Sequence, residues 1–309
     1  MKHSFLPSVT VLLSVYNGEQ TLSRCIESVL SQSFTDFEFV IINDGSTDNT
    51  ESIILSFSDT RIKYLFKNNS GLAASLNHGL KHSLGRYIAR IDADDVCHRD
   101  RLELQYNFMI NNNDFVVCGS AAKIFSIDGV FLKTQIEPEN DYEIREKMIK
   151  RNSFIHSSTF YLRDVALKVL YDENIFHFFE DYLFFSQLIK YGKAYNFPKP
   201  LVTYYVSPFS ISSNKMSKFQ LVMMKKIISR GYALRDEKEI FENLKNINKN
   251  RNLSNYYLKQ FRILFSSKKT RYKSLEYLTF AFKTDFFNLN NYTSILFGFY
   301  ILIFKKNES

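Results

Sequence analysis

Gly85-Arg86-Tyr87-Ile88-Ala89-Arg90-Ile91-Asp92-Ala93-Asp94-Asp95 is the stretch that decides the fold. Tyr87 to Ile91 reads as a buried strand, and it runs straight into three carboxylates within four residues. Working outward, similar apolar runs bounded by turn residues occur at Val9 to Val15, Phe39 to Asn43 and Lys63 to Phe66. Helical periodicity fills the gaps: Leu22, Ile26, Val29 and Leu30; then Ile53, Ile54 and Phe57 after an Asp48 cap; then Leu72, Leu76 and Leu80. Strand and helix alternate four times, and such spacing requires crossover connections. The expected fold is therefore α/β, a Rossmann-like sheet with helices on both faces, whose ligands sit beyond the carboxyl ends of the strands.

After residue 115 the pattern loosens into short strands at Val116 to Cys118 and Lys123 to Phe125, with helices near Tyr142 to Lys150 and Asp181 to Tyr191. All five prolines lie at or before Pro208. Beyond them, runs such as Phe219 to Ile228 and Tyr256 to Phe265 read as helices, so we expect an α/β domain over 1–215 and a basic, aromatic-rich helical region over 216–309.

The 309 residues are 45% hydrophobic and 23% charged, enough to bury a large core, which excludes a disordered or fibrous chain. The net charge of +8 is unevenly placed: residues 216–309 hold 18 Lys/Arg against 7 Asp/Glu, leaving 22 against 25 in the rest. Such a basic tail suits an anionic surface, or simply a solvated helical face. Three cysteines without metal-ligand spacing exclude a disulfide framework or structural zinc and suit a reducing cytosol. The Val9 to Val15 run is too short for a signal peptide and is expected to be a strand. No stretch reaches the roughly 20 apolar residues that span a bilayer.

Two acidic groups of residues follow strands: Asn43-Asp44-Gly45-Ser46-Thr47-Asp48 and Asp92-Ala93-Asp94-Asp95. Alternate residues of an extended segment point the same way, so Asp92 and Asp94 share one small region. Crowded carboxylates repel, and a divalent cation relieves them. Hard oxygen ligands without a histidine or cysteine cluster favour Mg²⁺ or Mn²⁺ over zinc. Asp94 and Asp95 also suit a helix N-cap ahead of Arg99 to Met109. Neither GxGxxG nor GxxxxGK[ST] occurs, so dinucleotide enzymes and P-loop NTPases fall away. What remains is a nucleotide site with its diphosphate at the aspartates and its base near Asp44, although Asp44-Gly45 also suits a plain turn.

Together with Pro7-Ser8-Val9-Thr10-Val11, Tyr16-Asn17-Gly18-Glu19, Asn69-Ser70-Gly71-Leu72 and Asn77-His78-Gly79-Leu80, these stretches resemble the family 2 glycosyltransferases of GT-A fold. The resemblance continues through Glu180-Asp181-Tyr182 and Pro200-Leu201-Val202-Thr203-Tyr204-Tyr205 to Ile211-Ser212-Ser213. It implies a mixed GT-A sheet and a role for each matching position. Tyr16 and Glu19 line the nucleotide pocket, Asp44 contacts uracil, Arg90 lies by the nucleotide, Asp92 sits near the ribose and Asp94 holds the metal. Asp181, beside Glu180, is the general base, although both acids also suit a helix start. His156 faces the acceptor or donor sugar by similarity to lipooligosaccharide N-acetylglucosaminyltransferases, or is a structural histidine. Asp181 as general base on the opposite face of the sugar implies in-line attack and inversion, from a UDP-sugar to a β-linked product.

The donor expected first is UDP-GlcNAc, then UDP-Gal or UDP-Glc, and the acceptor a lipopolysaccharide, lipooligosaccharide or capsule glycan, possibly lipid-linked. Tyr292 to Phe304 is too short to cross a bilayer and suits an interfacial helix. A cytoplasmic enzyme, peripheral at the inner face of the membrane and possibly dimeric, follows. Nucleic acid is not expected as a partner, since no binding signature accompanies the charge. Rival readings are a sugar nucleotidyltransferase, which normally carries a glycine- and arginine-rich loop absent from Val9 to Glu19, and a non-catalytic membrane-associated binding protein.

Overall fold

The computed structural model describes residues 6–149, 151–173, 180–206, 258 and 271–284. Its centre is a mixed sheet begun by β1 (Val9–Val15), β2 (Phe37–Asp44), β3 (Ile62–Lys67) and β4 (Tyr87–Asp92), ordered β3-β2-β1-β4 and all parallel. The crossovers are α1 (Leu22–Leu30), α2 (Thr50–Ser56) and α3 (Leu72–His82). Val9, Val11, Leu13 and Val15 pack in one buried cluster with Leu22, Cys25, Ile26 and Val29 of α1. The opposite face receives α3 at Gly79, where a Cβ would lie 2.3 Å from Leu12 and 2.6 Å from Ile42. Burial on both faces explains why β1, β2 and β4 read as apolar runs.

Beyond β4 the sheet turns antiparallel. The strand β5 (Val96–Cys97) leads into α4 (Arg101–Asn111), then come β6 (Phe115–Ser126), β7 (Phe131–Gln135) and α5 (Asp141–Met148). A 3-10 turn (His156–Ser158) precedes β8 (Phe160–Leu162), α6 (Arg163–Val169), α7 (Glu180–Leu188) and β9 (Lys193–Val206). The order continues β4-β8-β6-β9-β5, with β7 on β6. Strand β8 runs antiparallel to both β4 and β6.

Two expectations need correction, and one strand was not expected. The two short strands at Val116 to Cys118 and Lys123 to Phe125 are one twelve-residue strand, β6, because the small residues between them stay buried and extended. The cap of α2 is Asn49, while Asp48 Oδ1 accepts from the Thr50 backbone N–H at 3.0 Å. Strand β9 escaped the sequence reading because it carries Pro198 and Pro200, which normally demote a strand.

The chain separates into two compact units, residues 1–124 with 134–204, and residues 125–133 with 205–309. In the second, α8 (Arg271–Thr284) buries Tyr277 and Ala281, and the Tyr277 hydroxyl donates to Asp128 at 3.0 Å. The helices expected at Phe219 to Ile228 and Tyr256 to Phe265, and the Tyr292 to Phe304 segment, lie outside the described residues apart from Leu258. No described helix is long and apolar enough to cross a membrane.

Candidate active site

Strand β4 delivers the aspartates to the carboxyl edge of the sheet. The ligating oxygens of Asp92, Asp94 and Asp95 all lie within 4.8 Å of one another. The helix-cap alternative for Asp94 and Asp95 fails: α4 starts at Arg101 behind Asp100, and β5 intervenes. Burial, then repulsion from Asp92, pushes the Asp94 carboxyl up to about 6, and burial with both neighbours raises Asp95 further from its ordinary value. Asp92 is held low. Burial opposes its charge, yet the Arg90 guanidinium and its hydrogen bond outweigh that. A set of hard, mutually repelling carboxylates fits a divalent cation, and Mg²⁺ or Mn²⁺ suits its oxygen ligands.

Arg90 is the hub. It is 1% exposed, pairs with Asp92, and donates from its Nη1 to Ser157 Oγ at 3.0 Å. Ser157 in turn donates to Asp92 Oδ2 at 2.8 Å and accepts from the Asp92 backbone N–H at 3.1 Å. The Arg90 charge also acts on Asp94, His156 and Asp181, so these groups share one electrostatic neighbourhood.

Asp181 lies in the first turn of α7, with Oδ2 accepting from Asn152 Nδ2 at 2.8 Å and Oδ1 from the Tyr182 backbone N–H at 2.6 Å. Burial, then the neighbouring Glu180 charge, pushes its carboxyl up to about 7 against the pull of those donors and of Arg90. A carboxyl so placed exchanges protons near neutrality, as a general base requires. Glu180 is itself buried. His156 opens the 3-10 turn; burial and then Arg90 depress its protonation, leaving a neutral imidazole whose Nε2 is 2.9 Å from the Tyr171 hydroxyl.

Asp44 ends β2, 3% exposed. Its Oδ1 accepts from Lys67 Nζ at 2.7 Å and the Ser70 N–H at 3.0 Å, and its Oδ2 accepts from the Gly71 N–H at 2.9 Å. Three of roughly four lone-pair positions are filled, leaving one on Oδ2. Gly45 follows with φ +71°, and a Cβ there would lie 2.7 Å from the Asn69 nitrogen, so the turn needs glycine. Tyr16 is exposed at the end of β1. The Glu19 carboxylate accepts from the Asn49 N–H at 3.1 Å and from Asn49 Nδ2 at 2.9 Å, so it joins the loops after β1 and β2. The structure thus brings Arg90, Asp92 and Asp94 together with the turn of His156 and Ser157, while Glu180 and Asp181 lie on α7, which packs on His156 through Phe185, and Glu19 is engaged between loops.

Ser157, Asn152 and Tyr171 escaped the sequence reading. Ser157 is one of the small polar residues that follow His156, Asn152 lies in no quoted motif, and Tyr171 reads as ordinary core.

Parallel strands extended by antiparallel ones, with acids at the carboxyl edge of β4, define a GT-A nucleotide-sugar transferase fold. Residues 10–170 match the family described as "Glycosyl transferase family 2". The chain belongs to glycosyl transferase family 2. An uncharacterized glycosyltransferase of Haemophilus influenzae is 34% identical over 228 residues, 68% of this chain and 84% of that protein. The chain spans less of other curated relatives, 62%, 46% and 18% of three of them. Among solved structures, Staphylococcus aureus TarS 1-349 in complex with UDP-GlcNAc aligns with TM-score 0.58 at 16% identity, over 94% of this chain and 88% of that one. A Pyrobaculum calidifontis mannosyltransferase, PcManGT, in complex with GDP-Man and Mn²⁺, aligns with TM-score 0.55 at 13% identity, over 98% and 89%. At these identities the likeness is one of fold.

Proposed function

We propose that this glycosyltransferase moves a sugar from a UDP-sugar to a hydroxyl of a cell-surface glycan with inversion, forming a β-linkage. The observation that carries the reading is the aspartate cluster of β4, tied by Arg90 and Ser157 to the turn of His156, whose imidazole packs on the helix that bears Asp181. Asp92, Asp94 and Asp95 would hold Mn²⁺ or Mg²⁺, with Asp94 the principal ligand and Asp92 near the ribose. Such a cation, when bound, neutralises charge on the leaving diphosphate. Asp44 offers its remaining lone pair to a base N–H, with Tyr16, Glu19 and Arg90 around the nucleotide. Asp181 takes the proton from the attacking hydroxyl, held in place by Asn152, while His156 and Glu180 lie toward the sugars.

UDP-GlcNAc is the first donor to test, then UDP-Gal and UDP-Glc; TarS, a fold relative, was solved with UDP-GlcNAc. A role in lipopolysaccharide, lipooligosaccharide or capsule synthesis, with the basic tail at the inner face of the cytoplasmic membrane and a possible homodimer, completes the proposal. The test is UDP release from each UDP-sugar with Mn²⁺ and a glycan acceptor. No release from any donor, or full release by an Asp94→Ala variant, would overturn it.

A further inference from the structure

Asn77 stands on the buried side of α3, 2% exposed, in none of the roles assigned above. Its side chain makes three hydrogen bonds, all to one distant segment. Oδ1 accepts from the Tyr171 backbone N–H at 2.8 Å, while Nδ2 donates to the Tyr171 carbonyl at 2.8 Å and to Glu173 Oε1 at 2.8 Å. One amide thus satisfies both backbone groups of Tyr171.

Two further observations give that clamp a purpose. Leu170, which closes α6, has φ +53° and ψ 159°, a conformation that leucine rarely adopts and that surrounding structure must enforce. The turn at Leu170 aims Tyr171 inward, 2% exposed, where its ring stacks on Phe184 of α7 at 4.0 Å and 8°. The hydroxyl of the same ring meets His156 Nε2 at 2.9 Å, and His156 packs edge-on against Phe185 of α7 at 5.8 Å. Tyr171 therefore braces both the helix that carries Asp181 and the imidazole beside it.

We propose that Asn77 is a positioning residue for the acceptor half of the site: by clamping Tyr171 against the strain at Leu170 it fixes His156 and the helix bearing Asp181. The proposal rests on the glycosyltransferase reading and adds a component to it. Asn77 and Tyr171 make no hydrogen bond to Asp44 or to the β4 aspartates and reach Asp92 through the turn of His156 and Ser157, so the larger effect is expected on turnover and the smaller on nucleotide binding.

The experiment compares Asn77→Ala, Leu170→Gly, the double variant and Tyr171→Phe in the full chain. It measures melting temperature, UDP binding with Mn²⁺ by calorimetry, and UDP release from the best UDP-sugar. Asn77→Ala is expected to lower the melting temperature and to reduce turnover by about 10- to 100-fold, the cost of a displaced catalytic group, with UDP affinity within about twofold of wild type. Leu170→Gly, which removes the strain, is expected to raise the melting temperature. In the double variant stability returns while turnover stays low. Tyr171→Phe keeps the ring, loses the hydroxyl, and is expected to reduce turnover at unchanged UDP affinity. Turnover that recovers together with stability in the double variant, or full turnover in Tyr171→Phe, would reduce Asn77 to a structural residue and overturn the proposal. Should wild type release no UDP from any donor, the glycosyltransferase reading fails separately. The clamp is then decided by NMR of the His156 ring nitrogens: a common shift in Asn77→Ala and Tyr171→Phe supports it, and an unchanged signal overturns it.

Discussion

In the proposed reaction, Asp181 concentrates the chemistry at the scale of a single residue. Its carboxyl is pushed up to about 7 by enclosure and by Glu180, so the deprotonated form that accepts a proton accumulates only near neutrality. We expect kcat/KM to rise about tenfold per pH unit below that value and to level off above it, read from initial rates of UDP release. Asp181→Asn is expected to lower kcat by about 10²- to 10⁴-fold with UDP affinity intact. The same shift has a stability consequence of fixed sign. A carboxyl raised from 3.8 to about 7 favours the folded state in its protonated form, so its contribution is present below pH 4 and is lost as pH rises through 7. The melting temperature of Asp181→Asn is therefore expected to exceed that of wild type by a margin that grows between pH 4 and pH 7 and then holds. A flat margin across that range would contradict the shift.

Ser157 and Gly45 act through the elements that hold them. The 3-10 turn at 156–158 exists to bring one hydroxyl between Arg90 and Asp92, where it makes the three hydrogen bonds described above. Ser157→Ala leaves buried charged groups short of a partner and is expected to cost about 1–3 kcal/mol in urea unfolding, and to weaken Mn²⁺ binding by calorimetry. At the end of β2, Gly45→Ala forces a Cβ onto the Asn69 backbone at positive φ. It is expected to cost about 1–3 kcal/mol and to weaken UDP binding, since the same turn presents Asp44. Element positions such as β1 and β4 were legible because strands buried on both faces read as continuous apolar runs. Strand β9 was not, because it carries Pro198 and Pro200, which local propensity reads against a strand, and its pairing to β5 is made beyond both, at Val202 and Thr203.

Across the whole molecule, the metal and the tail carry the predictions. If Asp92, Asp94 and Asp95 take a divalent cation, Mn²⁺ at about 100 times its dissociation constant stabilises the fold by about 2.7 kcal/mol, visible as a higher melting temperature that chelation reverses. Asp94→Ala is expected to lose that response. The full chain is also expected to co-sediment with anionic vesicles and to be released by salt, at about 1 kcal/mol per basic residue near the surface. Binding to neutral vesicles alone would remove the charge-based role of the tail.

The amino-acid sequence by itself determined the alternation of strand and helix, the arrival of Asp44 and Asp92-Ala93-Asp94-Asp95 at strand ends, and the family to which the chain belongs. These are local properties, set by side-chain periodicity and by the spacing of turns along one segment. Only the tertiary structure decided that Arg90 is buried and paired with Asp92, that Ser157 and Asn152 hold the carboxylates of Asp92 and Asp181, and that Asn77 reaches across 94 residues to clamp Tyr171. Such contacts join parts of the chain whose proximity arises from packing, and no local pattern encodes which distant amide will meet which backbone.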